Sequence, residues 1–184
     1  MLISLVGLPG SGKSTVGRQL ARRLQLSFID SDHEIEQRIG CSIREYFERE
    51  GEARFRDMEQ EVIDALSQGG PGVLATGGGA VLRPANRQAL HSRCQVVYLK
   101  SSPEELFRRL RHDVSRPLLQ VEDPLRRLRD LFTLRDPLYQ ETAHVTIEPV
   151  RSSVPSVVRS IMTTLGLPDV PPPAAAAAPG VGNG

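Results

Sequence analysis

Residues 7–15 read "GLPGSGKST", and this stretch decides the fold. It matches G-x-x-x-x-G-K-[ST], with Gly7, Gly12, Lys13 and Ser14 in register. The apolar run "LISLVG" leads into it and the amphipathic run "VGRQLARRLQL" leads out, so the motif falls where a strand turns into a helix. Its chemistry needs that context. Glycines let the backbone wrap round phosphate oxygens, and a helix start offers unpaired N–H groups and a partial positive charge. The spacing predicts that Lys13 reaches the β- and γ-phosphates of a nucleotide and that Ser14 places its hydroxyl on Mg²⁺.

Outward from the motif, the apolar runs "LISLVG", "LSFID", "GVLAT", "CQVVYLK" and "HVTIE" alternate with segments of helical periodicity. These cover residues 13–25, 32–39, 42–49, 52–68, 84–92, 103–111, 124–141 and 153–165. Such alternation predicts βαβ units: an α/β protein with a parallel sheet and helices on both faces. Pro84 and Pro103 suit a first helical turn, and Ser102 suits an N-cap. Residues 112–123, "HDVSRPLLQVED", make a polar connection of a length that is usually functional, which reads as a lid. Beyond Leu167 the composition shifts to "PDVPPPAAAAAPGVGNG", with little to bury, and a disordered tail is expected over 168–184. Residues 1–167 are then one domain.

Composition narrows the class. A chain of 184 residues, 39% hydrophobic and 24% charged, suits a soluble protein with one core. A net charge of +1 gives no field directed at nucleic acid. The apolar N-terminus lacks a basic flank, and no run approaches the roughly 18 apolar residues of a membrane span. A cytoplasmic protein that binds neither nucleic acid nor membrane is expected. Cys41 and Cys94 share no metal-ligand or redox spacing, and are expected as buried free thiols.

A phosphate loop serves switches, motors and small-molecule kinases alike. No N-K-x-D guanine signature occurs, and the chain is short for a motor core, so phosphoryl transfer to a small acceptor leads. Asp30 and Asp32, at i and i+2 where the second apolar run ends, would share one side of an extended segment at the ligand-binding edge of the sheet. There they can hold Mg²⁺ through water or accept the proton of an attacking hydroxyl. Asp32 as the N-cap of a helix beginning at His33 is an open alternative. Arg56 lies one helical turn from both Glu52 and Glu59; the carboxylates can aim its guanidinium, or the three can form a solvated helix face. A second glycine cluster, "ATGGGAVLRP" at 75–84, has no lysine or hydroxyl in register for a phosphate loop. A strand delivers Gly77, Gly78 and Gly79 to the edge where the aspartates emerge, so their backbone can approach a ligand closely. A tight turn without a ligand role stays open.

The segments "GLPGSGKSTVGRQLA", "FIDSDHEIEQRIG", "IREYFEREGEARFRDMEQEV", "VLATGGGAV", "VVYLK", "SRPLL" and "RDPLY" follow the order and approximate spacing of shikimate kinases. The chain resembles that family over residues 2–165. The resemblance implies a three-layer P-loop kinase fold with a central five-stranded parallel sheet and a mobile lid. It implies ATP as co-substrate, with Gly10, Ser11, Gly12, Lys13, Ser14 and Thr15 on its phosphates, Arg109 near the adenine and a further adenine contact within 151–155. Ser14 would hold Mg²⁺, with Asp30 in the water shell of the ion. Asp32 would bind the shikimate hydroxyls and act as base, Arg56 and Arg135 would grip the carboxylate, and Gly77, Gly78 and Gly79 would line the acceptor site. Gly78 would lend a backbone N–H, and Arg116 would close over the phosphates from the lid. The family pattern further implies a monomer in aromatic amino-acid biosynthesis that makes 3-phosphoshikimate. Rival readings are a gluconate kinase, a nucleoside monophosphate kinase and a nucleotide-binding regulatory module.

Overall fold

The computed structural model describes residues 1–111 and 121–169. Arg116, the expected lid up to residue 120 and the tail from residue 170 lie outside the described residues. Five strands, β1 (Leu2–Val6), β2 (Ser27–Asp30), β3 (Gly72–Ala75), β4 (Gln95–Leu99) and β5 (Val145–Ile147), alternate with eight described helices. These are α1 (Lys13–Leu24), α2 (Ser31–Ile39), α3 (Ile43–Glu50), α4 (Glu52–Ser67), α5 (Pro84–Arg93), α6 (Pro103–Leu110), α7 (Pro124–Thr142) and α8 (Val154–Thr164). The strands lie in the order β2-β3-β1-β4-β5 and every pairing is parallel.

The layers follow from strand alternation. Leu2 and Val6 of β1, Leu74 of β3, and Val96 and Tyr98 of β4 face one side, where they pack with Ile63 of α4, Leu90 of α5, and Leu128, Leu131 and Tyr139 of α7. Ile3, Leu5, Val73, Val97 and Leu99 face the other, against Val16, Leu20 and Ala21 of α1 and Val157, Val158, Ile161 and Met162 of α8. Each fully buried aliphatic side chain contributes about 1.5–3 kcal/mol, and the central strands β1 and β3 are apolar on both faces, as a covered parallel sheet requires. A third cluster, Ile35, Phe55 and Val62 with Ile43 and Phe47 against it, joins α2, α3 and α4 beyond the sheet edge.

Helix ends follow local chemistry. Ser42 and Glu45 form a capping box on α3, Ser102 caps α6 ahead of Pro103, and Pro84 opens α5. The start of α2 corrects the alternative reading of Asp32. The cap is Asp30, whose Oδ1 accepts from the N–H groups of Asp32 (3.0 Å) and His33 (3.4 Å). The helix begins at Ser31, so Asp32 lies inside its first turn and reaches the crevice from a helix, not from an extended segment. The cysteines also differ from expectation: both are free, but only Cys94 is buried. No described helix is long and apolar enough to cross a membrane.

β1 sits between β3 and β4, so the chain leaves it at the point where the winding of the sheet changes direction. Ligands of open parallel sheets bind beyond the carboxyl ends of the strands at such a point. Three connections converge there: the phosphate loop after β1, the turn at Asp30 after β2 and the glycines after β3.

Candidate active site

The phosphate loop closes on itself through its lysine. Gly10 (φ 82°) and Gly12 (φ 90°) adopt left-handed backbone, which side-chain-bearing residues resist. Gly12 caps α1 without a side chain, and the first turn of α1 carries no acidic residue. The N–H groups of Lys13, Ser14 and Thr15 thus face a cavity free of a competing first-turn carboxylate. Lys13 is buried, and its Nζ donates to the carbonyls of Gly7 (2.8 Å) and Leu8 (2.9 Å) and to Ser11 Oγ (3.4 Å). A cavity of about 260 Å³ lies over this loop, lined by Gly10, Gly12, Lys13, Ser14, Thr15, Asp30, Asp32, Gly77 and Gly78 among others.

Asp30 divides its two oxygens. Oδ1 caps α2, while Oδ2 accepts from the Ser14 hydroxyl at 2.7 Å, tying the end of β2 to the first turn of α1. Asp32 faces the same cavity. Burial pushes its carboxyl up to about 6; the charges of Asp30 and Glu59 add to the rise and Lys13 opposes it.

A second cavity of about 370 Å³ adjoins the first and shares Pro9, Asp32, Gly77 and Gly78 with it. Arg56, Glu59, Gly79 and Arg135 line its far side, and Ile43, Phe47 and Phe55 give it an apolar wall. Arg56 is not on a solvated face. Its side chain is 13% exposed, it pairs at 2.7 Å with Glu59, which is 1% exposed, and Glu52 reaches it from the surface at 3.4 Å. Burial holds Glu59 above its usual carboxylate value, against the pull of Arg56 and Arg135. A buried pair of this kind contributes little net stability but fixes a geometry. Two guanidinia, with Glu59 and Asp32 beside them, bring planar donor forks into the cavity that suit an acidic ligand. Both arginines keep a buried Nε without a hydrogen-bond partner, so the protein does not saturate either guanidinium.

The three glycines are explained by what surrounds them. A Cβ on Gly77 would lie 2.5 Å from Asp32 Oδ1, one on Gly78 would lie 2.6 Å from Pro9 Cδ, and one on Gly79 would strike the Arg56 guanidinium. None of the three has the positive φ that only glycine favours, so close approach accounts for the run and backbone strain does not. The turn is also anchored: Gly77 N–H donates to Ser31 Oγ (3.1 Å) and Gly78 O accepts from Tyr139 Oη (2.6 Å).

A third cavity, about 240 Å³, extends from Gly10, Ser11, Gly12, Thr15 and Val16 to Arg109, Pro149, Ser152, Val154 and Val157. It brings Arg109 together with the 151–155 segment. Glu105 accepts from Arg109 (3.1 Å) and Arg109 also donates to Pro149 O (3.3 Å). Of the site residues expected from the sequence, all but Arg116 line one of these three connected cavities. Pro9, Glu105, Phe47 and Tyr139 were not anticipated. Tyr139 carries the one usable signal, since it stands four residues after Arg135 and thus on the same helix face.

A phosphate loop opening onto a cavity with two arginines and one aspartate, on a five-stranded parallel sheet of this order, defines a P-loop phosphotransferase. The shikimate kinase family model matches residues 9–166. A shikimate kinase of Paracidovorax citrulli is 62% identical over 174 residues, covering 93% of this chain and 95% of the relative. One of Ralstonia nicotianae is 50% identical over 177 residues, covering 96% and 93%. Among solved structures, the shikimate kinase of Acinetobacter baumannii in complex with shikimate superposes with a TM-score of 0.85 at 47% identity, covering 89% of this chain and 92% of that one. The chain belongs to the shikimate kinase family.

Proposed function

We propose that the protein transfers the γ-phosphoryl group of ATP to a ring hydroxyl of shikimate, giving 3-phosphoshikimate and ADP. It would do so as a cytoplasmic monomer in aromatic amino-acid biosynthesis. The observation that carries this reading is the place of Asp32, at the shared boundary of the phosphate cavity and the cavity with the arginines. In the first cavity the loop N–H groups and Lys13 hold the phosphates; in the second, Arg56 and Arg135 hold the carboxylate while the apolar wall receives the carbon ring. The acceptor hydroxyl then lies beside Asp32. Its oxygen bonds to the γ-phosphorus as the bond to the ADP oxygen breaks, and its proton passes to the Asp32 carboxylate. Most of the acceleration comes from alignment and charge.

Ser14 Oγ and Asp30 Oδ2, side by side at the phosphate cavity, are hard oxygen donors that suit Mg²⁺. No group of three or more acidic, histidine or cysteine side chains placed to hold a metal occurs among the described residues, and Mg²⁺ needs none, because it keeps several waters and binds through one or two protein groups with the substrate phosphates. When bound, the ion neutralises charge on the phosphates.

The acceptor is tested by ADP release with shikimate, gluconate or AMP. Release with shikimate alone is expected; release with gluconate or AMP at comparable kcat/KM, or without any acceptor, contradicts the reading. Arg135→Lys should raise the KM for shikimate about tenfold or more, since lysine cannot supply the planar fork and a charge-assisted bond is lost. An unchanged KM removes Arg135 from the site. The glycines should separate by defect. Gly79→Ala displaces Arg56 and should raise the KM for shikimate, with the KM for ATP within about twofold; Gly77→Ala displaces Asp32 and should chiefly lower kcat. Identical defects in both variants would mean that the turn fails as a whole.

A further inference from the structure

We infer that Tyr139 is a positioning residue for the acceptor: it ties the glycine turn to the helix that carries Arg135. The inference rests on the reading of the arginine cavity as the shikimate site. Tyr139 is fully buried, and its hydroxyl donates to Gly78 O at 2.6 Å, joining α7 to a turn 61 residues earlier in the chain. Arg135 stands one turn earlier on the same face of α7, near enough for its charge to act on the Tyr139 hydroxyl.

The consequence follows from peptide geometry. In a trans peptide the C=O and the next N–H point in opposite directions, so holding the Gly78 carbonyl also fixes the direction of the Gly79 N–H. Among the described residues no acceptor meets the N–H of Gly78 or Gly79, and both glycines line the acceptor cavity. One hydroxyl therefore sets the Gly79 N–H of the turn against the helix from which Arg135 enters the acceptor cavity. Below it, Tyr98 lies 5.0 Å away, centroid to centroid, and donates to Asp136 Oδ1 at 2.8 Å. That second hydroxyl is held by the same helix but has no bond to the turn or to Arg135, which makes it a matched control.

The test is a kinetic cycle on the full chain. Tyr139→Phe should raise the KM for shikimate about tenfold, with the KM for ATP within about twofold. Tyr98→Phe should lower Tm without moving the KM for shikimate. On an Arg135→Lys background, Tyr139→Phe should add less than about twofold, because both act on the acid through the same unit of α7 and the glycine turn. If Arg135→Lys raises the KM for shikimate but Tyr139→Phe only lowers Tm, or if the two effects multiply in full, the inference is overturned and the acceptor site stands. If Arg135→Lys itself leaves that KM unchanged, the reading of the cavity falls and takes the inference with it. A measurement without substitution covers the case in which Tyr139→Phe does not fold. The chain has three tyrosines, and ring-labelled wild-type protein should show the Tyr139 resonance shift on adding shikimate; no shift at saturating shikimate overturns the inference.

Discussion

Asp32→Asn should lower kcat by about 10²–10⁴-fold while the protein stays folded and gains stability above pH 6. The two halves of this result have one cause. Buried beside Asp30 and Glu59, the Asp32 carboxyl is raised from 3.8 to about 6, so the folded chain holds this proton more tightly than the unfolded chain does. The contribution of the proton to stability is complete below about pH 3.8 and is lost as pH rises through about 6. At pH 8 the wild type therefore carries an ionised carboxylate that destabilises it by about 1–3 kcal/mol, and asparagine removes that charge at nearly the same volume. The Tm of the variant should exceed that of the wild type at pH 8, and the difference should vanish near pH 4. The ionised form is also the one that can accept a proton, so kcat/KM for shikimate in the wild type should fall below about pH 6. Because Asp30 caps α2, a fall in turnover cannot be assigned to a lost cap. Near-normal turnover in Asp32→Asn would remove Asp32 as the base.

Lys13→Ala should reduce kcat/KM for ATP by on the order of 10²–10³-fold, with a smaller effect on folding. Nζ is held at 2.8–2.9 Å by the carbonyls of Gly7 and Leu8, both in the loop proposed to wrap the phosphates. The ammonium therefore shapes the loop as well as supplying charge, and exchanging carbonyls for phosphate oxygens strengthens its bonds because both partners are then ionised. Lys13→Arg should not rescue, since the larger planar group does not fit a site in which the lysine is 8% exposed and acts as a compact point charge. Activity restored by arginine would mean that only the positive charge matters.

Much of this was legible in the sequence, for identifiable reasons. The strands are short apolar runs punctuated by glycine and helix caps, and a phosphate loop ties its residues to a fixed place on a parallel sheet. All eight described helices fall within one residue of the expected bounds. What periodicity could not separate was a solvated ion-paired face from a buried one: Glu52, Arg56 and Glu59 have the same spacing in both. Their burial depends on α2 and α3 folding over α4, a tertiary fact. Whether Asp32 caps α2 stayed open in the sequence, and only hydrogen-bond geometry gives the cap to Asp30. Pro9 and Tyr139 were missed because their partners, Gly78 in both cases, lie about 60 residues or more away. The question posed by the second glycine run also changes its terms: each glycine makes room for a different neighbour, Asp32, Pro9 or Arg56.

The central claim, phosphoryl transfer to shikimate under Asp32, is tested most directly by following ³¹P resonances in a mixture of the protein, ATP, Mg²⁺ and shikimate. One new phosphomonoester should appear for each ADP formed, with no inorganic phosphate and no reaction when shikimate is omitted. ADP accompanied by inorganic phosphate, at a rate independent of shikimate, would contradict it.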